Sequence, residues 1–246
     1  MRKITTVILL LVVTLTGNSQ TQKSSKLEVF GGFPINHYFG DIGGSSSGNN
    51  LMGIKDIGFK ALRPGVSLGG VYHFNQRLAI QGSANLGLIA NTDAGSRNDA
   101  RDYAFSTFIT EVSATTVFYL IPESERNYFY NIMQLRGGLR HISKPISLYV
   151  FAGAGGLKYS VKAKNNLVDS DRFNDSETFT VVLPFGVGIK YHLFPRTLFG
   201  VELGARYVLS DYIDGFSSAQ SKFNDIYYTL NFKIYYKLFR NHLSDK

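Results

Sequence analysis

The sequence predicts an all-β protein, an eight-stranded antiparallel up-and-down transmembrane β-barrel. The clearest evidence is an alternating stretch at residues 223–240. Every second side chain there is apolar, namely Tyr228, Leu230, Phe232, Ile234, Tyr236 and Leu238. Because successive side chains of a strand point to opposite faces, this stretch is a strand with one apolar and one polar face. It is long enough to cross a bilayer, which takes about 9–11 tilted residues, whereas strands of soluble sheets usually run about 5–6 residues.

Seven further stretches share this alternation. In the seventh of the eight predicted strands, Glu202 and Arg206 lie opposite an apolar row. Charged side chains cannot face lipid cheaply, but they can face the lumen of a barrel. The connections between the stretches alternate between long and mostly short, as in an up-and-down barrel. The predicted strands are residues 27–39, 63–74, 77–90, 104–121, 146–162, 177–193, 199–209 and 223–240.

The N-terminus predicts a secretory signal peptide at residues 1–20, which leaves residues 21–246 as one barrel domain. Arg2 and Lys3 precede a short apolar run at residues 4–15, and small and polar residues follow at 16–20. The apolar run is shorter than the roughly 20 residues that a membrane-spanning helix needs. The chain has no cysteine, which excludes disulfides and thiolate metal sites. We therefore expect export to the cell outer membrane and no nucleic-acid partner.

The alternation of connections also predicts an orientation. Bacterial barrels have short turns on the periplasmic side and long loops outside. The turns near Asn75 and Pro195, and both chain termini, are therefore predicted to lie in the periplasm. The aromatic residues predict two interfacial girdles. The periplasmic girdle comprises Tyr72, Phe74, Phe118, Tyr119, Tyr191 and Tyr236, and the outer girdle comprises Phe105, Phe108, Tyr159, Phe179, Tyr207 and Tyr228.

The interior of an eight-stranded barrel is just wide enough for its own side chains. Charged residues of both signs fall on the predicted inward faces, so we expect a lumenal ion-pair network that fills the barrel. The alternative is a narrow conducting path. The predicted network comprises Glu28, Glu111, Lys190, Glu202, Arg206 and Lys233.

Candidate chemistry is sparse, and we predict no catalytic, cofactor-binding or metal site. His73 and His192 lie beside the two short turns and are interpreted as interfacial polar anchors. The acidic stretch at residues 169–175 lacks a ligand at the fifth position and the glycine at the sixth position of an EF-hand loop, which favours a solvated loop. The His-x-Ser pair of small lipid A deacylases has a counterpart at residues 141–143. The next carboxylate, however, is Asp169 in a predicted outer loop, and we predict no enzyme.

The connection at residues 122–145 differs from the other periplasmic turns because it is much longer. Long connections without obvious structure tend to be functional or disordered. Aromatic residues supply rigid apolar area of the kind found in binding hot spots, and arginines can bind acidic groups. The candidate partner surface comprises Tyr128, Phe129, Tyr130, Arg136 and Arg140. The alternative is a mobile turn whose basic residues touch lipid phosphates.

Five short motifs occur in order along the chain. They are Phe39-Gly40-Asp41, Phe108-Ile109-Thr110-Glu111-Val112-Ser113, Leu183-Pro184-Phe185-Gly186-Val187-Gly188-Ile189-Lys190-Tyr191, Gly200-Val201-Glu202-Leu203-Gly204-Ala205-Arg206-Tyr207 and Ser210-Asp211-Tyr212-Ile213-Asp214-Gly215. Together they resemble the PorG-like barrels of the Bacteroidota, small outer-membrane components associated with type IX secretion. The resemblance spans about residues 27–239. The family pattern has two acidic residues after the Asp-Tyr pair, whereas Gly215 follows Asp214 here.

This resemblance implies a structural function. The barrel would tether secretion or gliding machinery through the side that faces the periplasm. Its partners would be periplasmic secretion proteins, outer-membrane lipid and lipopolysaccharide. Two alternatives remain open at this point. One is a general OmpA-like structural or surface-binding barrel, and the other is a lipid-modifying outer-membrane enzyme.

Overall fold

The computed structural model of the chain describes residues 26–39, 42–43, 61–96, 99–123, 146–171, 173–174, 178–194, 196–210, 212–216 and 225–238. Eight strands form one closed barrel, in which sequence neighbours pair antiparallel and β1 pairs with β8. This confirms the predicted eight-stranded antiparallel up-and-down barrel. The strands are β1 (Leu27–Phe39), β2 (Arg63–His73), β3 (Leu78–Thr92), β4 (Tyr103–Ile121), β5 (Ile146–Asn165), β6 (Phe179–His192), β7 (Thr197–Val208) and β8 (Ile226–Lys237).

The barrel has two unlike ends. At one, which we call the turn end, short turns at residues 74–77 and 193–196 join β2 to β3 and β6 to β7. In the first turn the amides of Arg77 and Leu78 both donate to Asn75 Oδ1, at 2.8 and 2.7 Å, which is how an asparagine side chain closes a tight turn. The 122–145 connection is also at this end. The opposite end, which we call the loop end, carries the connections at residues 40–62, 93–102, 166–178 and 209–225.

The strands alternate between an apolar outer face and a more polar inner face. In β8 the side chains of Phe232, Ile234 and Tyr236 are 37–58% exposed. Lys233 and Tyr235 between them are buried. This is the face assignment that the alternation predicts. Among the described residues, no helix is long and apolar enough to cross a membrane.

The β4–β5 hairpin extends further toward the loop end than the sequence predicts. β5 ends at Asn165 instead of residue 162, and Tyr103 pairs with Asn165 at the tip. Asn165 Nδ2 donates to Asp102 Oδ1 at 2.9 Å. Both residues have positive φ, 53° and 49°, which asparagine and aspartate tolerate better than other non-glycine residues. This local closure stabilises the extra strand residues.

Three residues of the predicted aromatic girdles lie inside the barrel, so their assignment to the girdles is wrong. Phe105, Tyr119 and Tyr159 are each at most 2% exposed. The reason is strand parity. Phe118 and Tyr119 are adjacent, and Phe105 and Phe108 are three residues apart, so the members of each pair point to opposite faces. Five of the remaining girdle residues are Tyr72, Phe74, Phe108, Phe179 and Tyr191, all exposed on the outside.

Two apolar clusters fill the interior, one toward each end. The cluster near the turn end includes Phe30, Tyr119, Tyr149 and Tyr235. The larger cluster near the loop end also takes side chains from connections. Its connection residues are Ile42, Leu167, Ile213 and Phe216, all at most 4% exposed. Side chains therefore fill the barrel from both ends, as expected for eight strands.

The inward-facing residue Gly153 lies where β4 and β5 are closely packed. A Cβ atom there would overlap the carbonyl oxygen of Ala114 and lie 2.6 Å from the Cα of Thr115. We expect Gly153→Ala to lower the free energy of unfolding by about 1–3 kcal/mol, since extra volume in a packed interior strains the backbone. The change in the free energy of unfolding is measured by urea unfolding in lipid vesicles, with the folded fraction read from the mobility of unheated samples on gels.

The matched control is Gly82→Ala on the outer face of β3. A Cβ atom at Gly82 meets nothing within 4 Å. We expect no loss of stability there, since alanine also restricts the unfolded chain. Equal destabilisation of the two variants would contradict close packing at Gly153.

Candidate functional site in the barrel interior

Charged side chains form layers across the lumen, both between the two apolar clusters and at the turn end. The structure places each residue of the predicted network inside the barrel, at most 4% exposed, and brings them together as three pairs of opposite charge. The pairs are Glu28 with Lys190, Glu111 with Arg206, and Glu202 with Lys233. Buried charges of this kind are retained only when they are paired and hydrogen-bonded.

The pair closest to the barrel middle is Glu202 with Lys233. Lys233 Nζ lies 2.7 Å from Glu202 Oε2 and 4.5 Å from the centre of the Phe30 ring. The Tyr149 hydroxyl donates to the same carboxylate oxygen at 3.2 Å and lies 3.2 Å from the Tyr235 hydroxyl. Gly200, opposite Lys233 in the β7–β8 register, leaves room for the Tyr235 ring, because a Cβ atom at Gly200 would lie 2.7 Å from that ring.

The second layer surrounds Glu111. Its Oε2 atom accepts from the Tyr227 hydroxyl at 2.6 Å and lies 3.6 Å from Arg206 Nε, while Oε1 accepts from Ser113 and Asn85 at 2.8 and 3.2 Å. A cavity of about 10 Å³ adjoins Glu111 and Arg206. That volume holds about one water molecule. It is therefore a small gap in the packing beside the Glu111–Arg206 pair.

The third layer, at the turn end, is larger than predicted. Lys190 Nζ lies 2.8 Å from Glu28 Oε2, 3.1 Å from Glu123 Oε1 and 2.9 Å from the Tyr119 hydroxyl. Lys237 Nζ lies 2.8 Å from Glu123 Oε2. We call the group of Glu28, Glu123, Lys190, Lys237, His73 and His192 the turn-end cluster.

The two histidines of this cluster correct the interpretation of His73 and His192 as interfacial anchors. Both point into the lumen and are at most 7% exposed. His73 Nε2 lies 3.4 Å from Glu28 Oε1, and His192 Nε2 lies 4.0 Å from Glu123 Oε2. His73 is the last residue of β2 and His192 is the last residue of β6. In the alternation of each strand this position faces the lumen, so both side chains point inward.

Glu123 and Lys237 are members of the network that the sequence did not predict. Lys237 shares its parity with Lys233, so the alternation of β8 could have revealed it. Glu123 follows the end of β4, where no periodicity applies. Burial raises the pKa of the Glu123 carboxyl, but Lys190, Lys237 and His73 lower it by more. Its pKa therefore lies below the usual range, and the group is ionised at neutral pH.

The turn-end cluster also contains atoms that could bind a metal. Glu28, His73 and Glu123 each offer one ligand atom, and these atoms lie within 4.8 Å of one another. Carboxylates and imidazoles are the ligands of zinc and related metals. The ammonium groups of Lys190 and Lys237 already contact the two carboxylates, so a metal ion would have to displace a cation. The arrangement favours an ion-pair network over a metal centre.

Connection residues cover the lumen from the loop end. The Tyr38 hydroxyl lies 2.8 Å from Asp214 Oδ2 and 2.6 Å from Asp225 Oδ1. The Thr107 hydroxyl donates to the Ile213 carbonyl at 2.7 Å. These bonds draw residues 212–216 into the mouth of the barrel. Nothing in the local sequence around Asp214 indicates its contact with Tyr38 on β1, so this contact was not predicted.

Several predicted features lie outside the described residues. They are the signal peptide, the partner-surface residues Tyr128, Phe129, Tyr130, Arg136 and Arg140, and the His-x-Ser stretch at 141–143. In the acidic stretch, Asp169 and Asp171 are described and lie at the loop end. Asp171 is exposed there, as the prediction of a solvated loop requires.

The Glu202–Lys233 pair provides a stability test. Glu202→Gln leaves the buried Lys233 ammonium without its carboxylate, so we expect the free energy of unfolding to fall by about 3–5 kcal/mol. The double variant Glu202→Gln, Lys233→Met removes both charges and should recover much of that loss. Urea unfolding in lipid vesicles gives both values.

The control for this test is Asp171→Asn, which removes a carboxylate from an exposed position. We expect a change within about 0.5 kcal/mol. If the double variant loses as much stability as Glu202→Gln and Lys233→Met lose in sum when each is measured alone, Glu202 and Lys233 do not interact.

Comparisons with known proteins give one family and a set of similar structures. No curated protein matches the chain. The structure is similar to crystal structures of Neisserial surface protein A (13% identity, 87% of this chain and 98% of that chain, TM-score 0.45). It is also similar to the outer membrane protein OprG of Pseudomonas aeruginosa (9%, 90% and 100%, 0.44) and to a major outer membrane protein of Thermus thermophilus (13%, 85% and 98%, 0.44). Residues 2–240 match the family described as "Domain of unknown function (DUF6089)", and the chain belongs to that family.

Proposed function

We propose that the protein is an outer-membrane barrel with a structural, non-enzymatic role, and that it tethers periplasmic machinery. The observation that carries the membrane location is the apolar outer face of a closed barrel. On β6 every outward side chain that is not glycine is apolar and 37–66% exposed: Phe179, Val181, Leu183, Phe185, Val187, Ile189 and Tyr191. Soluble monomers rarely expose so large a continuous apolar surface, whereas lipid requires one.

The two ends of the barrel support the orientation. Outer-membrane barrels have an even number of strands, with short turns in the periplasm and long loops outside. The turn end therefore faces the periplasm, and the loop end faces the cell exterior. The lumen is filled by paired charges and two apolar clusters. Within the described residues the interior is occupied by these side chains, which supports a structural role more than a conducting one.

The tethering role draws its support from the resemblance to PorG-like barrels, which are associated with type IX secretion, and from the 122–145 connection. That connection leaves the barrel at the turn end, where periplasmic proteins would meet it. Glu123 anchors its first residues in the lumen through Lys190 and Lys237. A general OmpA-like structural or surface-binding barrel is the second candidate. It is favoured by the loop end, whose large connections would face the exterior.

The membrane location predicts a specific cost for charge on the outer face. Phe232 lies near the middle of β8, and its side chain points outward. We expect Phe232→Arg to lower the free energy of unfolding in vesicles by about 2–4 kcal/mol, since arginine must then sit at the bilayer midplane. The wild-type protein should fractionate with the outer membrane.

The matched control is Ser160→Arg, on the outer face of β5 near the loop end. Arginine near the interface costs about 0–1 kcal/mol. Equal costs at Phe232 and Ser160, or recovery of the wild-type protein from the soluble periplasm, would exclude the membrane orientation proposed here.

The tethering role predicts that the 122–145 connection holds a partner. A variant in which Asn-Gly replaces residues 124–145 keeps Glu123 and its ion pairs, and two residues suffice to close a hairpin. We expect this variant to reach the outer membrane and to lose its co-purifying periplasmic proteins. Gentle detergent extraction followed by mass spectrometry makes the comparison.

The control is a variant shortened at residues 44–58, in a connection at the loop end. We expect it to keep the periplasmic proteins, because its change lies on the opposite side of the membrane. Unchanged co-purification in the 124–145 variant would remove the connection as the tether, and the general structural barrel would then be the better proposal.

A further inference from the structure

Three lysines form a row on the outer face of β5 at the loop end. Lys158, Lys162 and Lys164 are all exposed and share the outward parity of the strand. Leu157 and Tyr159, which flank Lys158, are buried in the interior. The row therefore lies on the face that contacts the surroundings of the barrel, separate from the lumenal network. We call these three residues the lysine row.

The lysine row begins where the apolar face of β5 ends. The outward residues from Ile146 to Gly156 carry no charge, and this stretch is 11 residues long. A tilted strand needs about 9–11 residues to cross the hydrocarbon core. Length alone therefore places Lys158 at the boundary of the hydrocarbon on the loop side. Phe179, which pairs with Lys158 across β5 and β6 and is 66% exposed, marks the same level with an aromatic ring.

The remaining two lysines extend beyond that boundary. At about 3.3 Å per residue, Lys162 and Lys164 lie roughly 13 and 20 Å further along the strand than Lys158. With a strand tilt of about 45°, their height above the boundary is roughly 9 and 14 Å. The headgroup layer extends about 5–8 Å beyond the hydrocarbon core, so the backbone at these two lysines lies above that layer. A lysine stem can follow the apolar surface while its ammonium group reaches the headgroups.

The surroundings of the row leave the ammonium groups accessible. On β4, the outward residues opposite Lys158 and Lys162 are the small residues Thr110 and Ser106. Within the ranges that the structure describes, none of the three lysines forms an ion pair with a carboxylate. The row is therefore a concentration of positive charge that its described neighbours do not neutralise.

We propose that the lysine row binds the phosphate groups of anionic lipid in the leaflet at the loop end. The proposal rests on the membrane orientation given above and adds the residues and the ligand chemistry. An ammonium group acts as a point charge, so it favours a densely charged headgroup over a particular shape. A glycolipid that carries two phosphate monoesters, such as the lipid A part of lipopolysaccharide, has enough negative charge to pair with three lysine ammonium groups.

A lipid fits this surface better than a soluble polyanion does. The row is continuous with the apolar face of β5 and shares its parity, so a bound molecule contacts both the lysines and the lipid-facing surface. Acyl chains would cover the loop-side half of the stretch from Ile146 to Gly156 while the attached phosphates meet the ammonium groups. A soluble polyanion would contact only the lysines and not the apolar face.

The test compares the full-length protein with a variant that lacks the row. Lys158→Gln, Lys162→Gln, Lys164→Gln removes the three charges and keeps polar side chains at exposed positions. The control, Lys26→Gln, Arg77→Gln, Arg196→Gln, removes the same charge from exposed positions at the turn end. Each protein is refolded in neutral detergent, and its fold is checked by gel mobility before heating. Native mass spectrometry then measures binding of diphosphoryl lipid A and of its dephosphorylated form.

We expect wild type and control to bind diphosphoryl lipid A with equal affinity, and the row variant to bind it roughly 100-fold more weakly. Dephosphorylated lipid A should not distinguish the row variant from the wild type. Added salt should reduce the difference, because charges at a surface are screened.

Three results would overturn the proposal. They are an unchanged affinity in the row variant, an equal loss in the control, or an equal loss for the dephosphorylated lipid. If the row variant loses binding of a soluble sulfated polysaccharide but keeps that of lipid A, the ligand is a soluble polyanion. Lipid binding is measured on folded protein in micelles, so a negative result there rejects only the lysine row as a lipid site. Recovery of the protein outside the outer-membrane fraction would instead reject the proposed function.

Discussion

Closure of the sheet by β1 and β8 is the constraint on which the rest of this structure depends. The two strands pair along their whole length, from Glu28 opposite Lys237 to Phe39 opposite Ile226. An open edge would leave a row of backbone N–H and C=O groups without partners, which lipid cannot hydrogen-bond. Closure satisfies these groups, and it also forces every second side chain into a lumen of fixed and small width.

The contents of the lumen follow from that width. Tyrosines and aliphatic residues occupy the space toward both ends, and ion pairs cross it in layers between and beside them. Each charged group has an opposite charge close by, and most also accept or donate hydrogen bonds, as Glu111 does with Tyr227, Ser113 and Asn85. Because the interior is occupied in this way, we place the functions of the protein on its surfaces, at the periplasmic connection and on the outer face of β5.

The two proposed surfaces lie on opposite sides of the membrane and use different chemistry. The 122–145 connection, which we propose faces the periplasm, begins beside an ion-paired anchor at Glu123. The lysine row lies at the opposite leaflet, just beyond the apolar stretch of β5. Lipid held at the row would stabilise the barrel in one leaflet while a protein partner is held at the other. Such an arrangement suits a tether, because it resists pulling from the periplasmic side.

The sequence by itself determined the number of strands, their faces and the inward position of the predicted charges. These properties depend on a period of two residues, which is local and readable in any strand. Tertiary structure alone decided which inward residues meet. Glu28 and Lys190 are 162 positions apart, and their contact depends on the stagger of strands around the barrel. Glu123 lies beyond the last strand residue of β4, and Tyr38 meets Asp214 and Asp225, which both lie on the 209–225 connection. No local period governs such contacts, because they depend on how the closed sheet folds its connections inward.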